Sequence, residues 1–352
     1  MTVPMLEVRD LNVDIPLPHG RLHAVRGISL SVGTGESVGL VGESGSGKSL
    51  ALRALLGLLP HPARIMSGTV LIDGEDLTGM APQQLHRRLT DTMSMIFQDS
   101  LTALNPVKRV GDQIAEAPRR KLGKSRSEAR AIAVDLMSRV GIADAERRYE
   151  LYPHQLSGGM RQRICIAIAL STKPRLILAD EPTTALDVTI QAQVLGVLSK
   201  LKQDENVGLL LVSHDLAVVS QTCSRLYVMY AGKLVESGDL LDLVQSPKHP
   251  YTFSLLRSVP DPDRRVHRLL TIEGQPPDLS QPIVGCSFAP RCPFAVDLCA
   301  RQEPPLEPVV VVDRRAVAPQ TEPGPPRKSA CWKVDTAPMW PSLISDEMAV
   351  RR

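Results

Sequence analysis

A glycine-rich loop between a predicted strand and a predicted helix constrains this chain more than any other feature. Residues 42–49 read Gly-Glu-Ser-Gly-Ser-Gly-Lys-Ser and fit the pattern G-x-x-x-x-G-K-[ST]. The segment 36–41 predicts a strand, and the apolar spacing from Lys48 predicts a helix that stops at Pro60. Such a loop holds phosphate, because its glycines let successive N–H groups point inward at the start of a helix. The alternative is a chance glycine loop, and the flanking strand and helix argue against it.

The residues of this loop predict binding of a nucleoside triphosphate, either ATP or GTP. Lys48 is placed to bridge the β- and γ-phosphates, and Ser49 is placed to ligate Mg²⁺. The predicted nucleotide-binding residues of the loop are Gly42, Glu43, Ser44, Gly45, Ser46, Gly47, Lys48 and Ser49.

Two carboxylates follow a short apolar strand in the second half of the chain. The segment 176–179 leads to Asp180 and Glu181, and ligands bind at the carboxyl ends of strands in open α/β sheets. Asp180 is suited to hold Mg²⁺, and Glu181 is suited to orient the attacking water. An ordinary strand that ends in a solvated acidic pair is the alternative, which the phosphate-binding loop makes less plausible.

Two further side chains are predicted at the same site. His214 follows the apolar strand 209–212 and is predicted to contact the γ-phosphate or the attacking water. Gln98 follows residues 95–97, and its amide can reach both the metal and the water as donor and acceptor. Each residue taken alone is more often structural or a plain surface residue.

A second anion site is predicted at residues 156–160, which read Leu-Ser-Gly-Gly-Met and precede a helical segment that runs to Leu170. Ser157 and the N–H groups of Gly158 and Gly159 lie where a helix N-terminus favours negative charge. A head-to-tail pair of chains places each serine-glycine end over the other chain's phosphate loop. ATP would then join two subunits.

Composition narrows the class of protein. The 352 residues carry 41 basic and 38 acidic side chains without a long run of one sign, so nucleic acid is not an expected partner. A helix that crosses a membrane needs about 20 consecutive apolar residues, and no apolar run in the sequence is nearly that long. The first residues lack the apolar core of a secretory signal. We therefore expect the protein to stay in the cytosol and to contain two domains, one large and one small.

These motifs together resemble the ATP-binding-cassette (ABC) family. Gly42–Ser49 corresponds to its Walker A motif, Gln98 to the Q-loop, Leu156–Met160 to the signature, Leu176–Glu181 to Walker B and His214 to the switch. Ala185-Leu-Asp187 corresponds to the D-loop. Four longer segments are similar to segments of the oligopeptide/dipeptide/nickel importers. These segments are Phe97–Pro106, Asp180–Gln191, His249–Thr252 and Cys286–Phe294. Met160, Ser100 and Ala103 depart from the usual residues.

The resemblance implies an α/β fold with a RecA-like core, an N-terminal antiparallel β subdomain and a helical signature subdomain near 100–170. It places a nucleotide-binding domain at 1–245, an importer-type accessory domain that contains cysteines at 246–335 and a tail at 336–352. It also implies peripheral attachment to the cytoplasmic face of the cell membrane. The implied partners are a sister ATPase that forms a heterodimer, two permease subunits and an extracytoplasmic solute-binding protein.

The resemblance implies a Mg²⁺-dependent ATPase that powers import of di- or oligopeptides. Glu181 and His214 would be catalytic, and Mg²⁺ would be held by Ser49, Gln98 and Asp180. The signature residues Ser157, Gly158, Gly159 and Met160 would bind the partner's ATP, with Asp187 in the D-loop. Import of nickel or another small solute, a non-transport ABC ATPase and a catalytically dead binding module are the alternatives.

The expected aromatic residue that stacks on adenine does not occur before the phosphate loop. Ile15 or His23 lies nearest to the expected position, so the base contact stays open.

Four of the six cysteines lie near the C-terminal end, at Cys286, Cys292, Cys299 and Cys331. A cytosolic protein seldom forms disulfides, and four thiolates can bind zinc or a [4Fe–4S] cluster. Their gaps of five, six and thirty-one residues are wider than those of zinc knuckles and favour the iron–sulfur cluster over zinc. Four unligated cysteines that pack as small apolar residues are the remaining alternative.

Overall fold

A computed structural model describes residues 3–184, 186–258, 272–309 and 326–335. The predicted tail at 336–352, Ala185 of the predicted D-loop and part of the predicted C-terminal domain lie outside these residues. In chain order the strands are β1 (Leu6–Leu17), β2 (Gly20–Val32), β3 (Ser37–Val41), β4 (Arg64–Ile72), β5 (Glu75–Asp76), β6 (Met93–Ile96), β7 (Leu176–Asp180), β8 (Gly208–Ser213), β9 (Arg225–Tyr230), β10 (Lys233–Asp239), β11 (Glu307–Pro308) and β12 (Lys328–Ser329).

Twelve α-helices among the described residues connect the strands. They are α1 (Lys48–Leu55), α2 (Pro82–Thr92), α3 (Ser100–Ala103), α4 (Val110–Lys121), α5 (Arg126–Arg139), α6 (Ala145–Tyr149), α7 (Gly158–Leu170), α8 (Val188–Glu205), α9 (Leu216–Ser220), α10 (Leu240–Gln245), α11 (Pro250–Arg257) and α12 (Asp297–Arg301). No helix among the described residues has the length and apolar character needed to cross a bilayer.

The strands form two sheets. The smaller sheet is antiparallel, in the order β2-β1-β4-β5. The larger sheet has the order β11-β12-β10-β9-β3-β8-β7-β6, and its strands from β9 to β6 pair in parallel. Strands β9 and β10 form a hairpin, because they pair antiparallel across the turn at Ala231-Gly232.

The central parallel strands are buried on both faces, as the wholly apolar strand sequences predict. Leu176 and Leu178 pack with α1 and the small sheet, whereas Ile177 and Ala179 face the core formed with α4, α5 and α7. The alternation places one core on each side of the sheet. This rigid layer fixes the ends of β3, β7 and β8, where the polar motif residues lie.

The described residues after Gln245, here called the C-terminal region, are attached to the large sheet through a buried ion pair. Arg327 Nη2 donates to Glu236 Oε1 at 2.7 Å, and the two side chains are 4% and 0% exposed. The N–H groups of Lys248 and His249 also donate to this carboxylate. Burial raises the pKa of Glu236, and Arg327 opposes that rise.

Replacement of Arg327 by Met should destabilise the fold strongly, because it leaves the Glu236 carboxylate buried without its cation. Loss of one partner of a buried pair costs about 3–5 kcal/mol. Urea unfolding of the full chain measures this cost, with Arg9→Met as the control for an exposed pair with Glu7. The control midpoint should hardly change, and equal midpoints for the two variants would show that the Glu236 pair does not anchor the region.

Candidate functional site

The phosphate-binding loop has the predicted strand and helix on either side, since it connects β3 to α1. Gly47 has a φ of 102°, and a Cβ atom there would lie 2.3 Å from the carbonyl oxygen of Ala24. The position therefore requires glycine for both its conformation and its close approach to β2. The sequence spacing of the loop is thus explained by its local geometry.

Lys48 lies inside the curve of the loop and is 4% exposed. Its Nζ donates to the carbonyl oxygens of Gly42 and Glu43, both at 2.8 Å, and to Ser46 Oγ at 3.3 Å. Burial lowers the pKa of Lys48, while Glu181 and Asp180 act to raise it. The loop is therefore closed around a hydrogen-bonded ammonium group.

Asp180 ends β7 directly beside the loop. Its Oδ1 accepts a hydrogen bond from Ser49 Oγ at 2.8 Å, and its buried Oδ2 has no hydrogen-bond partner. Burial raises the pKa of Asp180, and the bond from Ser49 opposes that rise. An unpartnered buried carboxylate oxygen next to a serine hydroxyl fits the oxygen ligands that Mg²⁺ takes, with phosphate oxygens supplying the rest.

Three side chains converge on one oxygen of Glu181. Gln98 Nε2 donates to Oε2 at 3.2 Å, Thr184 Oγ1 donates at 2.8 Å, and His214 Nδ1 lies 3.1 Å away. The Glu181 backbone has a φ of 45°, which turns the chain sharply at the end of β7. The structure therefore brings together the predicted Gln98, Glu181 and His214, and sequence reasoning missed Thr184 although it lies three residues after Glu181.

A cleft of about 650 Å³ passes over these residues. Its lining includes residues 43–50 of the loop together with Gln98 and Glu181, and it extends to Leu22, Ala24 and residues 276–279. The volume lies within the range of about 300–1,000 Å³ that is common for small-ligand sites. The predicted loop, Gln98 and Glu181 therefore share one concave site, and His214 contacts Glu181.

The predicted second anion site lies apart from this cleft, because residues 157–160 are not among the described residues that line it. Ser157 is the N-cap of α7, and its Oγ accepts from the N–H of Met160 at 3.4 Å. Helix α7 begins at Gly158, whereas the sequence predicts a start after Met160. Gly158 and Gly159 therefore lie in its first turn. Asp187 similarly caps α8 by accepting from the N–H of Ile190 at 2.9 Å.

The C-terminal region contacts the phosphate-binding loop, which sequence reasoning missed. Arg291 makes a bidentate ion pair with Glu43 at 2.8 and 3.0 Å. The N–H of Glu43 donates to Tyr251 Oη at 2.7 Å. A cluster of Tyr230, Tyr251 and Phe288 rings lies behind these contacts. No local sequence pattern signals a contact between residues 248 positions apart.

The prediction that Cys286, Cys292, Cys299 and Cys331 hold an iron–sulfur cluster or zinc is wrong. Within the described parts of the chain, no group of three or more His, Cys, Asp or Glu side chains is arranged to hold a metal ion. The four residues are free thiols around one cavity of about 20 Å³, which has room for about one water molecule. Burial raises the pKa of Cys286, Cys292 and Cys331.

Two family profiles match the chain. The profile of the ABC transporter family covers residues 25–184, and that of the oligopeptide/dipeptide transporter C-terminal region covers residues 235–299.

Curated relatives match nearly the whole chain. A probable peptide ABC transporter ATP-binding protein of Sinorhizobium fredii is 44% identical over 94% of this chain and 95% of its own. The dipeptide transport ATP-binding protein DppD of Escherichia coli is 45% identical over 86% of this chain and 92% of its own. The oligopeptide transport ATP-binding protein OppD of Salmonella typhimurium is 44% identical over 86% and 90%.

Solved structures match the part of the fold that carries the cleft. The dimeric ATP-binding cassette MJ0796 bound to ADP and Pi superposes with a TM-score of 0.60 at 26% identity. That match covers 67% of this chain and 99% of the cassette.

A buried histidine next to the site makes stability depend on pH. His249 is 1% exposed, and its Nδ1 accepts from the N–H of Tyr251 at the start of α11. Burial lowers the pKa of His249 to about 3, so the folded protein holds the imidazole neutral. The unfolded chain takes up a proton on His249 near pH 6.5, whereas the folded chain does so only near pH 3. The stabilisation that the buried neutral imidazole contributes to the free energy of unfolding is therefore complete above pH 6.5 and is lost as the pH falls toward 3.

Replacement of His249 by Asn should remove this pH dependence, because Asn can cap the helix but does not titrate. Below pH 6.5 the wild-type chain should lose about 1.4 kcal/mol per pH unit through His249. Urea unfolding between pH 7.5 and 5 measures the loss, with the exposed His154→Asn as control. The His249→Asn profile should be flatter, and profiles parallel to those of the wild type and the control would contradict the assignment.

Proposed function

The chain belongs to the ABC transporter ATPases of the oligopeptide/dipeptide family, and we propose that it hydrolyses ATP to power the import of di- or oligopeptides. The observation that carries this function is the cleft that joins the Lys48 loop to Glu181. The Glu181 carboxylate in turn contacts Gln98, Thr184 and His214. Relatives that match nearly the whole chain carry names of peptide transport subunits. The ATPase works with permease subunits and dimerises as ABC cassettes do.

The phosphates of ATP are held by the loop that carries Lys48. The N–H groups of residues 47–49, where α1 begins, face the β- and γ-phosphates, and the Lys48 ammonium turns from its loop carbonyls toward them. Ser49, Asp180 and Gln98 would hold Mg²⁺, and the ion would supply positive charge beside the phosphates. The buried Oδ2 of Asp180 supports this assignment, because the protein gives it no other partner.

Glu181 orients the water that attacks the γ-phosphate. Its Oε2 is fixed by Thr184 and Gln98, which leaves Oε1 to accept a hydrogen bond from the water. His214 contacts the same carboxylate from the end of β8 and responds to the presence of the γ-phosphate. The proton released by the attacking water passes to phosphate oxygens or solvent within this cleft.

The signature end at Ser157, Gly158, Gly159 and Met160 completes the site of a partner cassette. Ser157 caps the first turn of α7, so the exposed N–H groups there lie at the positive end of a helix dipole. Its separation from the cleft of its own chain supports a contact in trans. Asp187, at the start of α8, lies in the segment that faces the partner cassette.

The remaining assignments concern assembly. We assign residues 1–245 to the nucleotide-binding domain, with its helical part near 100–170, and residues 246–335 to the accessory domain. Gln98 and the following residues to Pro106 face the permeases, so γ-phosphate occupancy moves them. A sister ATPase, two permeases and an extracytoplasmic binding protein complete an assembly at the cytoplasmic face of the membrane, and nickel or another small solute is the alternative cargo.

Replacement of Glu181 by Gln should keep ATP binding and lower ATP hydrolysis by about a hundredfold or more, because the water loses its carboxylate. ATP turnover and labelled-peptide uptake are measured together in the reconstituted transporter. The control is Glu75→Gln, a carboxylate on an exposed strand that pairs with Arg88.

Uptake and hydrolysis should fall together in the Glu181→Gln variant. Hydrolysis within a few-fold of wild type would refute the role of Glu181. Normal hydrolysis by the wild type without peptide uptake would refute the cargo.

Replacement of Ser157 by Asp should block ATP-dependent closure against the partner cassette while the helix keeps its cap. A carboxylate repels the partner's phosphates, whereas binding of ATP by the variant's own cleft should persist. Sedimentation of the two cassettes with MgATP in a Glu181→Gln background measures closure.

The matched control for this experiment is Ser125→Asp, at the serine cap of α5. Closure should occur with the control and fail with Ser157→Asp. Closure by both variants would show that Ser157 does not face a partner nucleotide.

A further inference from the structure

The cleft continues past the phosphate loop into an apolar end. Ala24 lies against Gly47 of the loop, and the cleft lining there includes Leu22 and the segment Pro276, Pro277, Asp278 and Leu279. The carboxylates Asp180 and Glu181 contact Ser49 and Gln98 at the opposite end of the loop. A triphosphate whose γ-phosphate faces Glu181 therefore directs its ribose and base toward the apolar end.

The segment 276–279 is attached to the strand beside the loop. The N–H of His23 in β2 donates to the carbonyl oxygen of Leu279 at 3.1 Å. Ser280 closes a turn behind it, because its N–H and Oγ both donate to Asp278 Oδ1 at 2.9 and 2.7 Å. Two successive prolines add rigidity, since each fixes its own φ. The segment thus forms a stiff wall of the cleft.

Arg291 connects the residues that precede this segment to the phosphate loop. Its Nε donates to the carbonyl oxygen of Glu273 at 3.0 Å and its Nη2 to that of Ile272 at 3.1 Å. The same guanidinium, whose side chain is 5% exposed, forms the bidentate pair with Glu43. One planar cation therefore fixes the position of the segment relative to the loop, which a lysine cannot do with a single ammonium.

The aromatic residue in the described lining does not offer a stacking face. Tyr230 is 1% exposed, and its ring packs against Tyr251 and Phe288 while its hydroxyl meets Arg291. His23 is not among the described residues that line the cleft, and its Nδ1 lies 2.9 Å from Asp14 Oδ1. The apolar side chains of the described lining that remain at this end of the cleft are those of Leu22, Pro276, Pro277 and Leu279.

We propose that Pro276, Pro277 and Leu279 form, with Leu22, the platform that binds the nucleobase of ATP, and that Arg291 positions it. A flat base has apolar faces that pack on proline rings and on Leu side chains, without reading its hydrogen-bonding edge. The C-terminal region thereby completes the nucleotide site of its own chain. This inference rests on the proposed function, since it requires that the cleft bind ATP.

Nucleotide binding by the full-length chain tests the platform, with two probes that share phosphates but differ in the base. The probes are MgATP and Mg-tripolyphosphate, measured by isothermal titration. Pro276→Gly/Pro277→Gly and Leu279→Ser should each weaken ATP binding roughly tenfold and leave tripolyphosphate binding within twofold of wild type. The matched control is Val284→Ser, which is 73% exposed and outside the cleft lining.

The positioning role of Arg291 has its own readout. Arg291→Lys keeps a cation beside Glu43 but loses the hydrogen bonds to the carbonyl oxygens of Ile272 and Glu273. ATP binding should therefore weaken while tripolyphosphate binding persists. In the assembled transporter the platform variants should raise KM for ATP roughly tenfold with kcat within twofold. Thermal midpoints equal to that of Val284→Ser confirm that the platform variants fold.

Three outcomes separate the two proposals. If the platform variants bind ATP as the wild type does, the platform assignment is overturned and the function stands. If they lose both probes equally, the segment supports the loop rather than the base, which also overturns the platform. If the wild-type chain binds neither probe, the proposed function fails first.

Discussion

The buried ammonium of Lys48 is the interaction on which the nucleotide site depends. A lysine that is 4% exposed loses most of its hydration, and three oxygens of its own loop replace it. These bonds join the ammonium group to Gly42, Glu43 and Ser46, and so hold the loop curled around it. The curled loop therefore depends on the buried lysine as well as on its glycines.

The rest of the site is arranged around this loop by parallel strands whose carboxyl ends lie side by side. Strand β7 delivers Asp180 to Ser49, and the sharp backbone turn at Glu181 directs its carboxylate toward Gln98 and His214. On the other side, Tyr251 and Arg291 hold Glu43 from the C-terminal region. The loop is thus held on one side by the end of β7 and on the other by the C-terminal region.

The sequence predicts the parts of the site that arise from local geometry. The phosphate loop lies between β3 and α1 because glycine spacing and apolar runs are local signals, and Asp180 reaches it because parallel strands end at one edge. Prediction fails where long-range packing decides. The contact between Arg291 and Glu43 has no sequence signal, and the spacing of Cys286 and Cys292 does not reveal that burial favours their neutral thiols.

The structure of the full-length chain with Mg²⁺ and a non-hydrolysable ATP analogue, determined by crystallography, tests the central claim most directly. The phosphate cradle predicts a triphosphate within hydrogen-bond distance of Lys48 Nζ and of the loop N–H groups, with Mg²⁺ bound to Ser49 Oγ. A nucleotide bound elsewhere on the chain, or bound with its phosphates away from Lys48, would contradict the claim.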